Sequence, residues 1–261
     1  MRTDFSEFSF GYALVEEFAR SLRPGLQAAP VFPSLIEEGR DGGGYDVKFD
    51  HPGIPLLIQF KRPDVMKTTK SKEISDHNLP LLIPFYRFHI RSSATSRQHD
   101  MLLAHDNGNN LVYYASPCFH EIANFDRYYL KQTVINNTIF VRPCDIGPLS
   151  AEPHHISYDQ IGIGWRFSDK PVQLESITRG RLLEDDIEAK LLNEKQALGE
   201  GILTDTIKLI EKNFAQEGLR AVRPNPRIGA LDNPWRDLAR LSELSQIYLN
   251  AQLFIVQRTF F

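Results

Sequence analysis

Asp46, Gln59 and Lys61 supply an acid, a side-chain carbonyl and an amine at a spacing that could place them on one side of a β-hairpin. The segments Tyr45–Asp50 and Pro55–Lys61 flank His51-Pro52-Gly53-Ile54, a turn-forming stretch. With the turn centred on Pro52 and Gly53, Asp46 falls opposite Gln59 and Lys48 opposite Leu57. Side chains alternate along a strand with period two. Tyr45, Val47, Phe49, Leu56, Ile58 and Phe60 then share an apolar face that belongs in a core, and Asp46, Lys48, Gln59 and Lys61 share the other. Side chains this close across a strand pair interact. Hydrolysis of a phosphodiester would use such a trio, because it needs a cation against the non-bridging oxygens and a water made nucleophilic. Mg²⁺ (or Mn²⁺) prefers oxygen ligands, which Asp46 and Gln59 could provide. Lys61 could orient the water or stabilise charge on phosphorus. On spacing alone, an ordinary Asp46–Lys61 ion pair with Gln59 as a bystander explains the pattern equally well.

The elements that would position these residues are legible in the periodicity. Ser6 to Leu22 reads as a helix with Phe10, Leu14, Phe18 and Leu22 on one stripe, ended by Pro24 and Gly25. It carries Glu16 and Glu17, either of which could be a second carboxylate for a metal. Glu17 lies closer to the buried stripe and is favoured. A Pro- and Gly-rich loop runs to Gly44. Pro84–Ile90 suits a third strand, Ser93–Ala104 a helix and Leu111–Ala115 a fourth strand, and Thr138–Val141, His155–Tyr158 and Gly162–Phe167 could extend the sheet. From Leu182 the pattern turns helical, with a loop at Arg223–Arg227 and a last helix expected over Trp235–Val256. The expected division is 1–178 for a catalytic domain and 179–261 for a helical C-terminal extension. Gln98 and His99, on the helix after the third strand, could touch a phosphate or make only local hydrogen bonds. Glu37 and Glu38 read as solvated, and Gly42-Gly43-Gly44 as a flexible entry, since no Gly-Lys-Ser/Thr follows. His120, His154 and His155 lack metal spacing and read as structural, and the paired tyrosines read as core.

Composition limits the alternatives. The 261 residues are 42% hydrophobic and carry a formal net charge of -3, so any nucleic-acid surface must be a local patch. The clearest basic run is Arg62, Lys67, Lys70 and Lys72, with Asp64 opposing it, and a solvated loop explains it as well. Two distant cysteines, Cys118 and Cys144, suit a reducing cytoplasmic compartment. The N-terminus lacks the features of a signal peptide, and no apolar run approaches the ~20 residues of a membrane span.

The stretch Gly43-Gly44-Tyr45-Asp46, followed by Ile58-Gln59-Phe60-Lys61-Arg62, resembles the PD-(D/E)xK nuclease superfamily. It is most similar to the branch, including Mrr-like restriction endonucleases, in which Gln replaces the usual second acid. The resemblance covers roughly Ser6 to Ala115. It implies an α/β (α+β) fold with a restriction-endonuclease-like αβββαβ core and a mixed central sheet. It implies Asp46, Gln59 and the helix-borne Glu17 (or Glu16) as metal ligands for Mg²⁺, and Lys61 as the catalytic lysine. Arg62, Lys67, Lys70, Gln98 and His99 are then the expected nucleic-acid contacts. The implied activity is endonucleolytic cleavage of DNA in restriction or antiphage defence, with homo-oligomers or partner proteins of a defence operon as associates. RNA as substrate, and an eroded module that binds nucleic acid or protein without cutting, are the alternatives.

Overall fold

The computed structural model describes residues 2–21, 54–94, 96–106, 110–167, 170–175, 177–180, 201–216, 226–229, 235–249 and 251–256, with single positions between 182 and 189 and residue 231. The chain is a mixed α/β protein with two five-stranded sheets. In chain order the elements used below are α1 (Glu7–Ser21), β1 (Ile54–Phe60), β2 (Asp64–Met66), α2 (Lys72–Ser75), β3 (Phe85–Ile90), α3 (Gln98–His105) and β4 (Leu111–Pro117). They continue with α4 (Ile122–Leu130), β5 (Thr138–Val141), β6 (His154–Tyr158), β7 (Gly164–Phe167), β8 (Val172–Gln173), β9 (Thr178–Arg179) and α5 (Gly201–Gln216). The last are α6 (Trp235–Leu244), a π-helical turn at Ser245–Leu249 and β10 (Gln252–Val256).

The first sheet runs β10-β1-β4-β5-β9, and it is mixed because β1 and β4 are parallel while its other pairs are antiparallel. The second, β2-β3-β6-β7-β8, is antiparallel throughout. Leu57, Val112, Tyr114 and Leu253 of the first sheet pack in one core with Tyr86, Phe88, Ile156 and Tyr158 of the second, completed by residues of α3, α5 and α6. Leu56, Ile58, Tyr113 and Phe254 point the other way, into an aromatic-rich core under α1. Strand β1 is thus covered on both faces, which is why IPLLIQF reads as an almost unbroken apolar run.

Helix α1 forms where expected. The Ser6 hydroxyl accepts the Ser9 N–H at 3.0 Å, satisfying one of the amides that every helix start leaves free. Its buried stripe is Phe10, Leu14 and Phe18. Gly11 lets the helix lie against the Phe60 ring, because a Cβ there would stand 2.7 Å from it.

Three expectations change. The strand Phe85–Ile90 forms, but in the second sheet, so the three early strands do not share one central sheet. The expected hairpin partner Tyr45–Asp50 lies outside the described residues, and the positions beside β1 are already filled. Leu57 pairs with Val112 on one edge and Leu253 on the other. Finally, the helix expected over Trp235–Val256 stops at Leu244, passes through the π-turn and ends in strand β10, antiparallel to β1. A short apolar run such as Gln252–Val256 is equally compatible with a buried helix and a buried strand, and the open edge of β1 decides for the strand. The segment after residue 178 is therefore tied into the first sheet through β9 and β10 rather than standing apart as helices. Among the described residues no helix is long and apolar enough to cross a membrane.

Candidate active site

At the C-terminal end of β1 the structure gathers Gln59, Lys61, Gln98, His99 and Tyr114. Gln59 is fully buried and shares a face with Leu57, toward α3 and the π-turn. Its Nε2 donates to the Leu249 carbonyl at 3.3 Å, and Gln98 from α3 donates to the same oxygen at 2.9 Å. Leu249 closes the π-turn, where the last carbonyls of a helix have no partner within it. A carbonyl only accepts, so it fixes the Gln59 amide with nitrogen toward Leu249 and oxygen away. That oxygen, Oε1, is buried and has no hydrogen-bond partner among the described residues. Leaving such a group unpaired costs about 1–3 kcal/mol. An oxygen held at that cost, and facing away from its one anchor, is what a ligand site requires.

Lys61 follows two residues on, on the same face. Its backbone continues the parallel ladder past β1: its N–H donates to Ala115 O at 2.8 Å, and its carbonyl accepts the Ser116 hydroxyl at 3.1 Å. The ammonium stands over the Tyr114 ring, 5.5 Å from its centre, and has no ion-pair partner among the described residues. Burial depresses its pKa from 10.5 to about 8, with Glu7 opposing and the Arg91 charge adding to the drop. Tyr114 is anchored in turn. Its hydroxyl lies 2.9 Å from His99 Nδ1, and His99 Nε2 lies 2.9 Å from the Gly147 carbonyl. Because Gly147 O only accepts, Nε2 carries the proton and Nδ1 accepts from the tyrosine.

A lysine whose folded-state pKa lies below that of the unfolded chain costs stability while it is charged. The penalty is complete below pH about 8 and fades as pH rises toward the ordinary lysine value of 10.5. Lys61→Met is therefore expected to raise the melting temperature near neutral pH, with the gain shrinking toward pH 10.5. A melting temperature that falls at neutral pH would show that the ammonium is not held at a cost.

No family model, curated protein or solved structure matches this chain. The assignment of roles therefore rests on geometry and on the sequence resemblance.

The other expected site residues are distributed as follows. Asp46 lies outside the described residues. Glu17 is not brought to Gln59: α1 covers the opposite face of β1, and the Glu17 carboxylate accepts the Val134 N–H at 2.7 Å and the Ile135 N–H at 3.3 Å. Burial raises its pKa and those two amides lower it, so it serves the backbone of that turn rather than a metal. Glu16 pairs with Arg20 one turn along. Arg62 is exposed, but its guanidinium is spent on Thr3, with Nε donating to the hydroxyl at 2.9 Å and Nη2 to the carbonyl at 2.5 Å. His99 is 3% exposed, burial lowers its pKa, and both ring nitrogens are engaged, so it supports Tyr114 instead of meeting a phosphate. Gln98 anchors the π-turn. Lys67 and Lys70 are exposed on the loop after β2. Among the described residues no three His, Cys, Asp or Glu side chains are grouped to hold a metal.

Two contributors escape sequence reasoning. Tyr114 faces Gln59 across the parallel register, which only the pairing of β1 with β4 reveals. The Leu249 carbonyl has no sequence signal at all, being backbone from the far end of the chain.

A second polar cluster lies on the outer face of the second sheet. Glu73 of α2 is fully buried and accepts from Arg87 at 2.5–2.8 Å and from Ser157 at 2.8 Å, with His155 Nε2 3.3 Å away. Burial alone would raise its pKa, but the nearby His155 ring and the bonds from Arg87 and Ser157 outweigh it and hold the carboxyl far below the usual range. With every oxygen occupied, this cluster fastens α2 to the sheet.

Proposed function

We propose that the chain is a metal-dependent nuclease that hydrolyses phosphodiester bonds of DNA at the end of β1. The observation that carries this reading is the pairing of a buried Gln59 Oε1 with the Lys61 ammonium two residues along the same face, neither having a partner of its own among the described residues. A hard divalent cation fits this arrangement through the chemistry of its donor, a neutral oxygen already desolvated and aimed by the Leu249 anchor. By the sequence resemblance Asp46 would join Gln59 in holding Mg²⁺, and the bound ion would neutralise the phosphate and ease ionisation of water. The protein's own groups do the rest. The Leu249 carbonyl and Gln98 keep the Gln59 oxygen from turning away. Tyr114, steadied by His99, fixes where the Lys61 amine sits. The under-solvated ammonium is drawn to a non-bridging phosphate oxygen and offsets the charge that builds as water adds to phosphorus and the ester bond breaks. A role in restriction or antiphage defence rests on the sequence resemblance alone.

A second reading is favoured by the capture of Glu17 by Val134 and Ile135, which withdraws the helix-borne acid. In that reading the chain is an eroded module that binds nucleic acid without cutting it. Calorimetric titration with Mg²⁺ or Mn²⁺, beside cleavage assays on DNA and RNA, separates the two. The nuclease reading expects metal binding and metal-dependent cleavage, both lost in Asp46→Ala. Absence of metal uptake and of cleavage by the wild-type chain would leave the binding module.

A further inference from the structure

The loop between β2 and α2 lies in a stretch whose charge balance is unlike the rest of the chain. Between residues 61 and 99 there are eight Lys and Arg against three Asp and Glu, in a protein whose net charge is -3. Among the described residues, only one of the three acids is ion-paired with a permanent cation. Glu73 is held by Arg87, Asp64 Oδ2 lies 3.5 Å from His89 Nε2, and Asp76 accepts the Ser75 hydroxyl at 2.5 Å. Lys67, Lys70 and Lys72 are exposed and have no ion-pair partner among the described residues. Val65, Met66, Lys67, Thr68, Lys70 and Ser71 line an open cavity of about 370 Å³. That is enough for a small ligand group. Its lining combines apolar Val65 and Met66 with two lysines and the Thr68 hydroxyl as a further donor. Exposed lysines around a hollow, with no ion-pair partner among the described residues, suit a polyanion, because a bound strand releases its own counterions to solvent.

We infer that the Lys67–Ser71 loop receives a backbone phosphate of the nucleic acid, apart from the phosphate presented to Lys61. This rests on the proposed function for the identity of the ligand, but it does not depend on catalysis. Neither Gln59 nor Lys61 lines the cavity.

The test is binding of labelled duplex and single-stranded oligonucleotides to the full chain in EDTA, followed by fluorescence anisotropy over a range of salt concentrations. Lys67→Ala/Lys70→Ala is compared with wild type and with Lys131→Ala, an exposed lysine elsewhere. Two lost phosphate contacts should flatten the slope of log K against log salt by about 1.8 for duplex or about 1.4 for single strands. Lys67→Glu/Lys70→Glu should weaken binding further. A slope equal to that of wild type or of Lys131→Ala, or no binding by wild type, overturns the inference. The expected slope change without any Mg²⁺-dependent cleavage would sink the nuclease reading and leave the phosphate loop standing. Cleavage with an unchanged slope would do the reverse.

Discussion

Lys61→Ala is expected to reduce Mg²⁺-dependent DNA cleavage by about 10²–10³-fold, the usual cost of removing one preorganised group that faces charge developing in a transition state. The site's construction explains why so much depends on one side chain. Tyr114 and His99 are spent on holding the amine, which leaves Lys61 as the cation on the face of β1 that carries Gln59. The backbone bonds of Lys61 to Ala115 and Ser116 do not involve the side chain, so the truncated variant should keep its fold and its circular dichroism. Single-turnover cleavage under saturating metal isolates the chemical step from binding. Cleavage at the wild-type rate would remove Lys61 from the mechanism, and with it the main support for catalysis at this place.

Glu73→Ala should be the most damaging single change to stability outside the hydrophobic core. Removing the carboxylate strands Arg87, Ser157 and His155 around an empty acceptor. Losing one partner of a buried pair costs about 3–5 kcal/mol. Arg87 is 21% exposed and can recover some hydration, so the lower end, about 3 kcal/mol, is expected. At 2–4 °C per kcal/mol for a chain of this size, the melting temperature should fall by roughly 6–12 °C. Glu73→Gln, which keeps an acceptor and the shape, should lose less. The carboxyl's folded pKa lies below its unfolded value of 4.5, so its contribution is present above that pH and disappears as pH falls below it. The gap between wild type and Glu73→Ala should therefore narrow on acidification. Equal melting temperatures at neutral pH would mean that the cluster contributes nothing to holding α2.

Much of this fold is legible in the sequence. The stripe Phe10, Leu14, Phe18 announces α1, and the strands at Phe85–Ile90, Leu111–Pro117 and Thr138–Val141 begin and end close to where their composition sets them. Local periodicity reports burial, and burial reports which side of an element faces the core. It does not report which strand lies beside which. The same β-branched and aromatic run fits either sheet, and Phe85–Ile90 joined the second. Gln252–Val256 shows the limit most clearly: its pattern suits a helix, and it became a strand because β1 offered an unpaired edge.

The candidate site divides in the same way. Gln59 and Lys61 share a face because two residues separate them, a consequence of strand geometry that the sequence carries by itself. Whether a carboxylate joins them depends on position in three dimensions. Glu17, nearest the buried stripe of α1, ended on the far side of β1 because that stripe packs against Leu56 and Ile58, and its charge went to the amides of Val134 and Ile135. The orientation of the Gln59 amide was decided by a carbonyl 190 residues away. Alternation and residue type are local properties written into consecutive positions, whereas a hydrogen bond from β1 to the π-turn exists only once the packed core has brought distant segments of the chain together.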